Sequence, residues 1–255
     1  MKHAGLKGEY KLIDVVPDEL EERIDDLSKE GFNGFNITIP YKERIFRLVD
    51  RKTLSCAKAE AANTVKIEDG AMLAHNTDVE GFSEALNRVL PDSLSKGSAI
   101  VIGAGGASRA AIIGLNQLGF ANIEIVARNH QSANELMASM RKCLPEGTQL
   151  SLREISSTAN TGPVVLVNCT PIGQHSDEVP EWFNSLLKAL PRQSMVFDMV
   201  YASNGTKTPV VRQAQASGLN AYDGLDMLAN QAALAFEFWT GKSVPAEIMK
   251  AAAVR

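Results

Sequence analysis

The sequence predicts an α/β protein built as two lobes, and three observations carry that reading. Short β-rich segments alternate with helical patterns from end to end, the arrangement that gives βα units and parallel sheet. A glycine turn, GAGGASRA at 103–110, follows the apolar run AIVI and opens an amphipathic stretch. The segment PDSLSKG at 91–97 has no periodicity and is rich in Pro, Ser and Gly, so the boundary between the lobes is placed there. The expected organisation is an N-terminal α/β domain, residues 1–90 joined by 224–255, and a second domain over 95–223.

Each element has its own justification. YKLIDVV (10–16) reads as a strand. PDELEERIDDLSKEGF follows as an amphipathic helix, with Pro17 in its first turn, acids early, and Leu20, Ile24 and Leu27 on one face. FNITIP (35–40) is the next strand. Pro40 removes a backbone donor and ends the pairing, which puts Lys42 at the strand's carboxyl end, where open α/β sheets bind ligands. NTVKIEDGAMLAHNTD reads as a hairpin turning at Glu68-Asp69-Gly70, and DVEGFSEALNRVL as a helix. From Ser98 to Asn129 the pattern is strand, glycine turn, helix and strand, one βαβ unit; PVVLVNCT and SMVFDMVY are later strands. The final fifth is helical, DGLDMLANQAALAFEFWTG and PAEIMKAAAV, with Gly241 at the break. Those helices are expected to pack back on the first lobe.

Composition excludes several classes. The 255 residues are 45% hydrophobic and 22% charged, which suits a soluble chain with two cores. A net charge of -4, with Lys and Arg scattered, provides no basic field for nucleic acid. The three cysteines, Cys56, Cys143 and Cys169, lie far apart, so neither a disulfide framework nor a zinc site is expected and the thiols are read as reduced in a cytoplasmic protein. The four histidines show no ligand spacing, so no metal is expected. The first residues contain no apolar h-region, and no run of about 18 apolar residues is present, so neither secretion nor membrane insertion is expected.

The glycine turn supplies Gly103, Gly105 and Gly106, followed by Ala107, between a strand and a helix. Backbone amides at a helix amino terminus, with no Cβ in the way, approach a pyrophosphate closely and meet its charge with the helix dipole. This is the Rossmann arrangement for a dinucleotide. At the end of the following strand the sequence offers Arg128 and no carboxylate, which favours the 2'-phosphate of NADP and leaves NAD open.

Three polar clusters, FNITIPYKE, AANTV and AHNTDVEGF, fall at strand ends of the first lobe, so Asn36, Thr38, Lys42, Asn63 and Asp78 are expected to converge on one cleft. Together with GAGGASRA, NCTPIG, FDMVY, TPVVRQAQASG and GLDMLANQAALAFEFWTG, in this order from about residue 8 onward, they make the sequence resemble the shikimate/quinate dehydrogenase family. The resemblance implies reversible hydride transfer between NADP or NAD and the ring carbon that is a ketone in 3-dehydroshikimate and an alcohol in shikimate. By the same resemblance Lys42 and Asp78 are the catalytic pair, and Asn36, Thr38, Asn63, Tyr201 and Gln231 contact the substrate. Thr170, in NCTPIG, joins the cofactor set of Gly103, Gly105, Gly106, Ala107 and Arg128. The expected partners are a small ring acid, shikimate or quinate, and the chain is a monomer or homodimer.

The sequence departs from the family pattern in two places. Members begin with a strand and a loop H-S-x-S-P whose hydroxyls grip the substrate carboxylate; this sequence starts inside the following helix. Two missing donors imply weaker binding, at roughly 1.5 to 3 kcal/mol for each charged hydrogen bond. This leaves open a start downstream of the natural one, or a non-catalytic or altered-substrate member. The NADP motif N-R-T-x-x-R/K-A is here ARNHQSA, which keeps Arg128 and lacks the second basic residue. PYKE, and His75 before NTD, resemble members that accept quinate, often with NAD; His75 at a strand end reads as an ordinary polar residue of the hairpin, with substrate contact as the alternative.

Overall fold

The computed structural model of the chain describes residues 1–94, 97–155, 157, 162–202 and 205–253. The first lobe contains α1 (Leu20–Lys29), β1 (Gly34–Asn36), α2 (Lys42–Leu48), β2 (Arg51–Lys52), α3 (Leu54–Ala59), β3 (Thr64–Glu68), β4 (Ala71–His75) and α4 (Asp78–Val89). Its four strands form a mixed sheet in the order β1-β3-β4-β2. The β3–β4 hairpin turns on Asp69 and Gly70, both at positive φ (53° and 74°), as a tight two-residue turn requires. Helix α1 buries Leu20, Ile24 and Leu27 as its periodicity predicts.

Two expectations for this lobe need correction. Residues 10–16 form no strand. An extended segment becomes a strand only when a partner ladder takes its backbone groups, and β1 pairs with β3 alone. The segment is tied instead by side chains: Tyr41 Oη donates to the Val15 carbonyl at 2.5 Å, and Tyr10 Oη to Asn36 Oδ1 at 2.9 Å. The second correction concerns Lys42, which opens α2 and does not stand at a strand end. The strand is shorter than FNITIP, and after Ile37 the chain turns, with Tyr41 N donating to the Thr38 carbonyl at 3.0 Å.

The second lobe runs β5 (Ser98–Ile102), α5 (Gly106–Gln117), β6 (Asn122–Val126), α6 (His130–Met140), β7 (Gln149–Leu152), β8 (Val164–Asn168), α7 (Glu181–Ala189), β9 (Met195–Asp198), α8 (Pro209–Ala216) and β10 (Asn220–Tyr222). All six strands are parallel, in the order β10-β9-β8-β5-β6-β7. The chain leaves β5 toward β6 on one side and returns to β8 on the other, so a crevice opens at the carboxyl ends of β5 and β8. The short edge strands β7 and β10 were not expected from the sequence.

Helices α9 (Leu225–Thr240) and α10 (Ala246–Ala253) follow, and α9 ends at Gly241 in the left-handed conformation (φ 67°). Helix α4 is the wall shared by the lobes. Its Phe82 is fully buried and meets Phe197 of β9 edge to face at 5.3 Å, while its other side packs on α9. Among the described residues no helix is long and apolar enough to cross a membrane.

Candidate active site

The site begins where two helices start. Lys42 is the first residue of α2, and its carbonyl accepts from Ala62 N at 2.8 Å, which pins the helix to the segment entering β3. Its Nζ donates to Asp78 Oδ2 at 2.7 Å. Asp78 is the first residue of α4 and does not cap it, because Asn76 Oδ1 takes the amides of Asp78 (3.0 Å) and Val79 (3.3 Å). The carboxylate is thereby free to face Lys42. The pair is screened little by water: the side chains are 16% and 4% exposed. An ammonium has three donors and this one spends one on Asp78, leaving two for an incoming oxygen.

Asn63 is the hub around that pair. Its Nδ2 lies 2.9 Å from Thr77 Oγ1, 2.9 Å from Asp78 Oδ1 and 2.8 Å from Gln231 Oε1. Two hydrogens serve three acceptors, so one is shared. Its Oδ1 accepts from Thr77 N at 2.8 Å and from Thr64 Oγ1 at 3.1 Å. Asn36 joins through its Nδ2, which donates to the Asn63 carbonyl at 3.1 Å and to Thr64 Oγ1 at 3.0 Å. Lys42, Asp78, Asn63, Gln231 and Asn36 therefore form one connected network. Thr38 is exposed, and among the described residues its side chain makes no hydrogen bond. Tyr201 is 39% exposed and lines a hollow of about 240 Å³ with Gly173, Gln174, Thr208 and Arg212.

His75 ends β4 and turns its ring toward α3 and α9. Its Nδ1 is 2.8 Å from Thr53 Oγ1 and its ring stacks on Phe238 of α9, with centroids 4.6 Å apart. Burial pushes its pKa below the ordinary value. Thr53 Oγ1 also accepts from Cys56 N at 3.3 Å as the cap of α3, so one hydroxyl ties the imidazole to the start of that helix. The ring is used in packing α9 on the sheet and does not join the network around Asp78.

The glycine turn lies directly against Lys42. A Cβ at Gly106 would sit 3.2 Å from Lys42 Cβ, so the start of α5 and the start of α2 touch. Gly103 is at φ 116°, and a Cβ there would press on Thr170 Cγ2 at 3.2 Å, where the loops after β5 and β8 meet. At Gly105 nothing lies within 4 Å of the Cβ position, so this side of the turn is open. A pyrophosphate fits such a cradle, with the amides of Gly106 and Ala107 at the helix start. Thr170 is held by Asn168 Oδ1, which accepts from its Oγ1 at 2.6 Å and its N at 3.1 Å. Asn168 Nδ2 in turn donates to Asp198 Oδ1 at 2.8 Å, and Thr208 Oγ1 donates to Asp198 Oδ2 at 2.6 Å. Burial raises the Asp198 carboxyl to about 7 against these donors. Arg128 is exposed beyond β6 and makes no hydrogen bond or ion pair with any described residue. Its neighbour Asn129 caps α6 by accepting from Ser132 N at 3.2 Å.

Comparison with known proteins decides the family. A Mesorhizobium japonicum protein named shikimate dehydrogenase (NADP(+)) is 38% identical over 93% of this chain and 81% of its own length. The chain belongs to the shikimate dehydrogenase family. Residues 1–65 match the family description "Shikimate dehydrogenase substrate binding domain", and residues 224–254 match "Shikimate 5'-dehydrogenase C-terminal domain". The shikimate dehydrogenase of Aquifex aeolicus superposes with a TM-score of 0.83 at 31% identity, over 100% of this chain and 89% of the other. The Thermus thermophilus shikimate 5-dehydrogenase, solved with NADP(H) and shikimate, gives 0.79 at 30% identity over 99% and 89%. For this family member the sequence reading missed Asn76 and Thr77 as network residues, although both stand in the quoted HNTD. It also missed Asp198 beneath the NCTPIG turn; a lone acid inside the apolar run MVFDMV was the signal.

Proposed function

We propose that the chain catalyses reversible NADP(H)-dependent transfer of hydride between shikimate and 3-dehydroshikimate, with residues 1–90 and 224–255 holding the ring acid and 95–223 the dinucleotide. The observation that carries this reading is the Lys42–Asp78 pair, 2.7 Å apart and in contact with the turn at Gly106. Bound NADP+ supplies the hydride acceptor. In the oxidising direction the substrate hydroxyl loses a proton as the C–H bond gives up its hydride; the Lys42–Asp78 pair takes that proton and returns it to the ketone oxygen in reverse. Asn63 and Gln231 orient the ring hydroxyls beside Asp78, and Asn36, Thr38 and Tyr201 complete the substrate contacts. Gly103, Gly105, Gly106, Ala107 and Thr170 hold the pyrophosphate and nicotinamide side, and Arg128 meets the 2'-phosphate.

The chain acts in the cytoplasm, as a monomer or homodimer. Purified protein is mixed with shikimate or quinate, each with NADP and with NAD, and nicotinamide absorbance is followed. Turnover is expected with shikimate and NADP above the other three pairs. A dinucleotide bound without turnover in any pair overturns the proposal in favour of a non-catalytic member.

A further inference from the structure

Outside the hydrogen-bonded network lies a second charged cluster that crosses between the lobes. Arg109, three residues beyond Gly106 on α5, is 8% exposed. Its Nη1 donates to Ser139 Oγ of α6 at 2.7 Å, and Ser139 Oγ donates to Glu60 Oε2 at 2.6 Å. Nη1 also lies 3.5 Å from Glu60 Oε2, and Nη2 lies 3.6 Å from Glu43 Oε2. Glu43 follows Lys42 on α2, and Glu60 ends α3 in the left-handed conformation at φ 47°. A buried guanidinium on the dinucleotide lobe is thus neutralised by two acids of the other lobe, each at the end of a helix touching the site.

From this arrangement we infer that Arg109 is a positioning residue, a clasp that sets Lys42 over the glycine turn. The inference rests on the proposed function for its catalytic readout, and its geometry stands apart from it. The start of α2 is held within its own lobe by Lys42–Asp78, by Tyr41 on the Val15 carbonyl and by Arg44 on Glu21, and it is also gripped across the lobes. Ala62 N holds it from the first lobe, whereas Gly106 packing and the Arg109–Glu43 ion pair hold it from the second. Packing at Gly106 only limits how near Lys42 comes; the ion pair draws it in. The fork of a guanidinium reaches both acids at once, which an ammonium does not. Among the described residues Arg109 Nε is buried with no hydrogen-bond partner, so the fork is aimed by its two acids and by Ser139. A dinucleotide seated on α5 is thereby coupled to the lysine on α2 through this side chain as well as through the packing at Gly106.

The test compares wild type with Arg109→Met, Arg109→Lys and Glu43→Gln in the full chain. Amide hydrogen exchange is read over residues 42–48, together with kcat, KM and the NADPH dissociation constant. In Arg109→Met, exchange over 42–48 rises several-fold and kcat falls about 10- to 100-fold, the scale of a small misplacement of a reacting group. The NADPH dissociation constant stays within about twofold, because no phosphate contact is lost. Arg109→Lys recovers part of kcat. Glu43→Gln leaves Arg109, Ser139 and Glu60 together and is the variant to read if Arg109→Met does not fold; it raises exchange over 42–48 and lowers kcat in the same sense. Unchanged exchange and kcat in a folded Arg109→Met, or in Glu43→Gln, overturns the clasp. If wild type turns over no substrate, the proposed function has failed, and the exchange measurement alone decides the clasp.

Discussion

Replacing Asp78 by Asn separates what the proposed catalytic pair does for activity from what it does for stability. Both carboxylate oxygens of Asp78 accept: Oδ2 from Lys42 Nζ at 2.7 Å and Oδ1 from Asn63 Nδ2 at 2.9 Å. Either orientation of the new amide sets a donor against a donor, and Lys42, with its side chain only 16% exposed, keeps a charge with no counterion. Breaking a buried pair from one side costs about 3 to 5 kcal/mol, and the remaining exposure of Lys42 places this case near about 3. Activity falls by about 10² to 10⁴, the span for loss of general acid–base work. Urea denaturation and initial rates with shikimate and NADP measure the two. Adding Lys42→Met to Asp78→Asn removes the stranded charge, so the double variant recovers most of the stability and none of the turnover. A single variant that keeps its unfolding midpoint and its kcat within a few-fold refutes the reasoning at its root.

Other substitutions test other parts of the site. Asp198→Asn acts on pH dependence: a carboxyl raised in the fold from 3.8 to about 7 contributes stability that is full below the ordinary carboxylate range and lost as pH rises through about 7. Unfolding free energies of wild type from urea denaturation should therefore fall between about pH 4 and pH 7, by up to about 4 kcal/mol, and those of the variant should stay flatter. Arg128→Ala should raise KM for NADP about 10-fold or more while leaving KM for NAD within about twofold, since one charged hydrogen bond to the 2'-phosphate is lost; equal effects on both cofactors would remove Arg128 from that role. Gly81→Ala should lower kcat more than it destabilises, because its Cβ would stand 3.0 Å from Gln231 Cβ and N and push the helix that carries Gln231.

Local patterns made much of this fold legible. The glycine turn, the hairpin at Asp69-Gly70 and the α1 face rest on residues adjacent or one helical turn apart, and the structure carries all three. Residues 10–16 show where that logic ends, since alternation marks an extended segment and only a neighbouring ladder makes it a strand. Lys42 was singled out by its place after Pro40 but was not legible as a helix start: α2 has 7 residues, too few for periodicity to stand out, and it forms because Ile45 is fully buried and Ala62 N donates to the Lys42 carbonyl. The Arg109 cluster was illegible for another reason. Arg109 and Glu60 are 49 positions apart, and neither type in isolation differs from a solvated surface charge.

The placement of Asp78 shows how packing at a distance makes the chemistry specific. Helix α4 is approached closely on two sides, and each approach depends on the absence of a side chain. At Gly81 a Cβ would be 3.2 Å from the Met227 carbonyl of α9. At Gly114 of α5 it would be 2.6 Å from Phe82 Cδ1 and 2.7 Å from Ser83 Oγ. The first contact sets the distance from Asp78 to Gln231, and the second sets its distance to the turn that begins α5. Because Asn76 Oδ1 takes the first amides of α4, the Asp78 carboxylate has no capping duty to its own helix, and it is aimed by these two crossings together with its bonds to Lys42 and Asn63. A carboxylate so placed meets Asn63 and Lys42 from one lobe while α5, from the other, stands against Lys42 at Gly106. The proposed proton-handling pair and dinucleotide turn are thus registered through helix packing, and adding one methyl group in either crossing should alter the register of both.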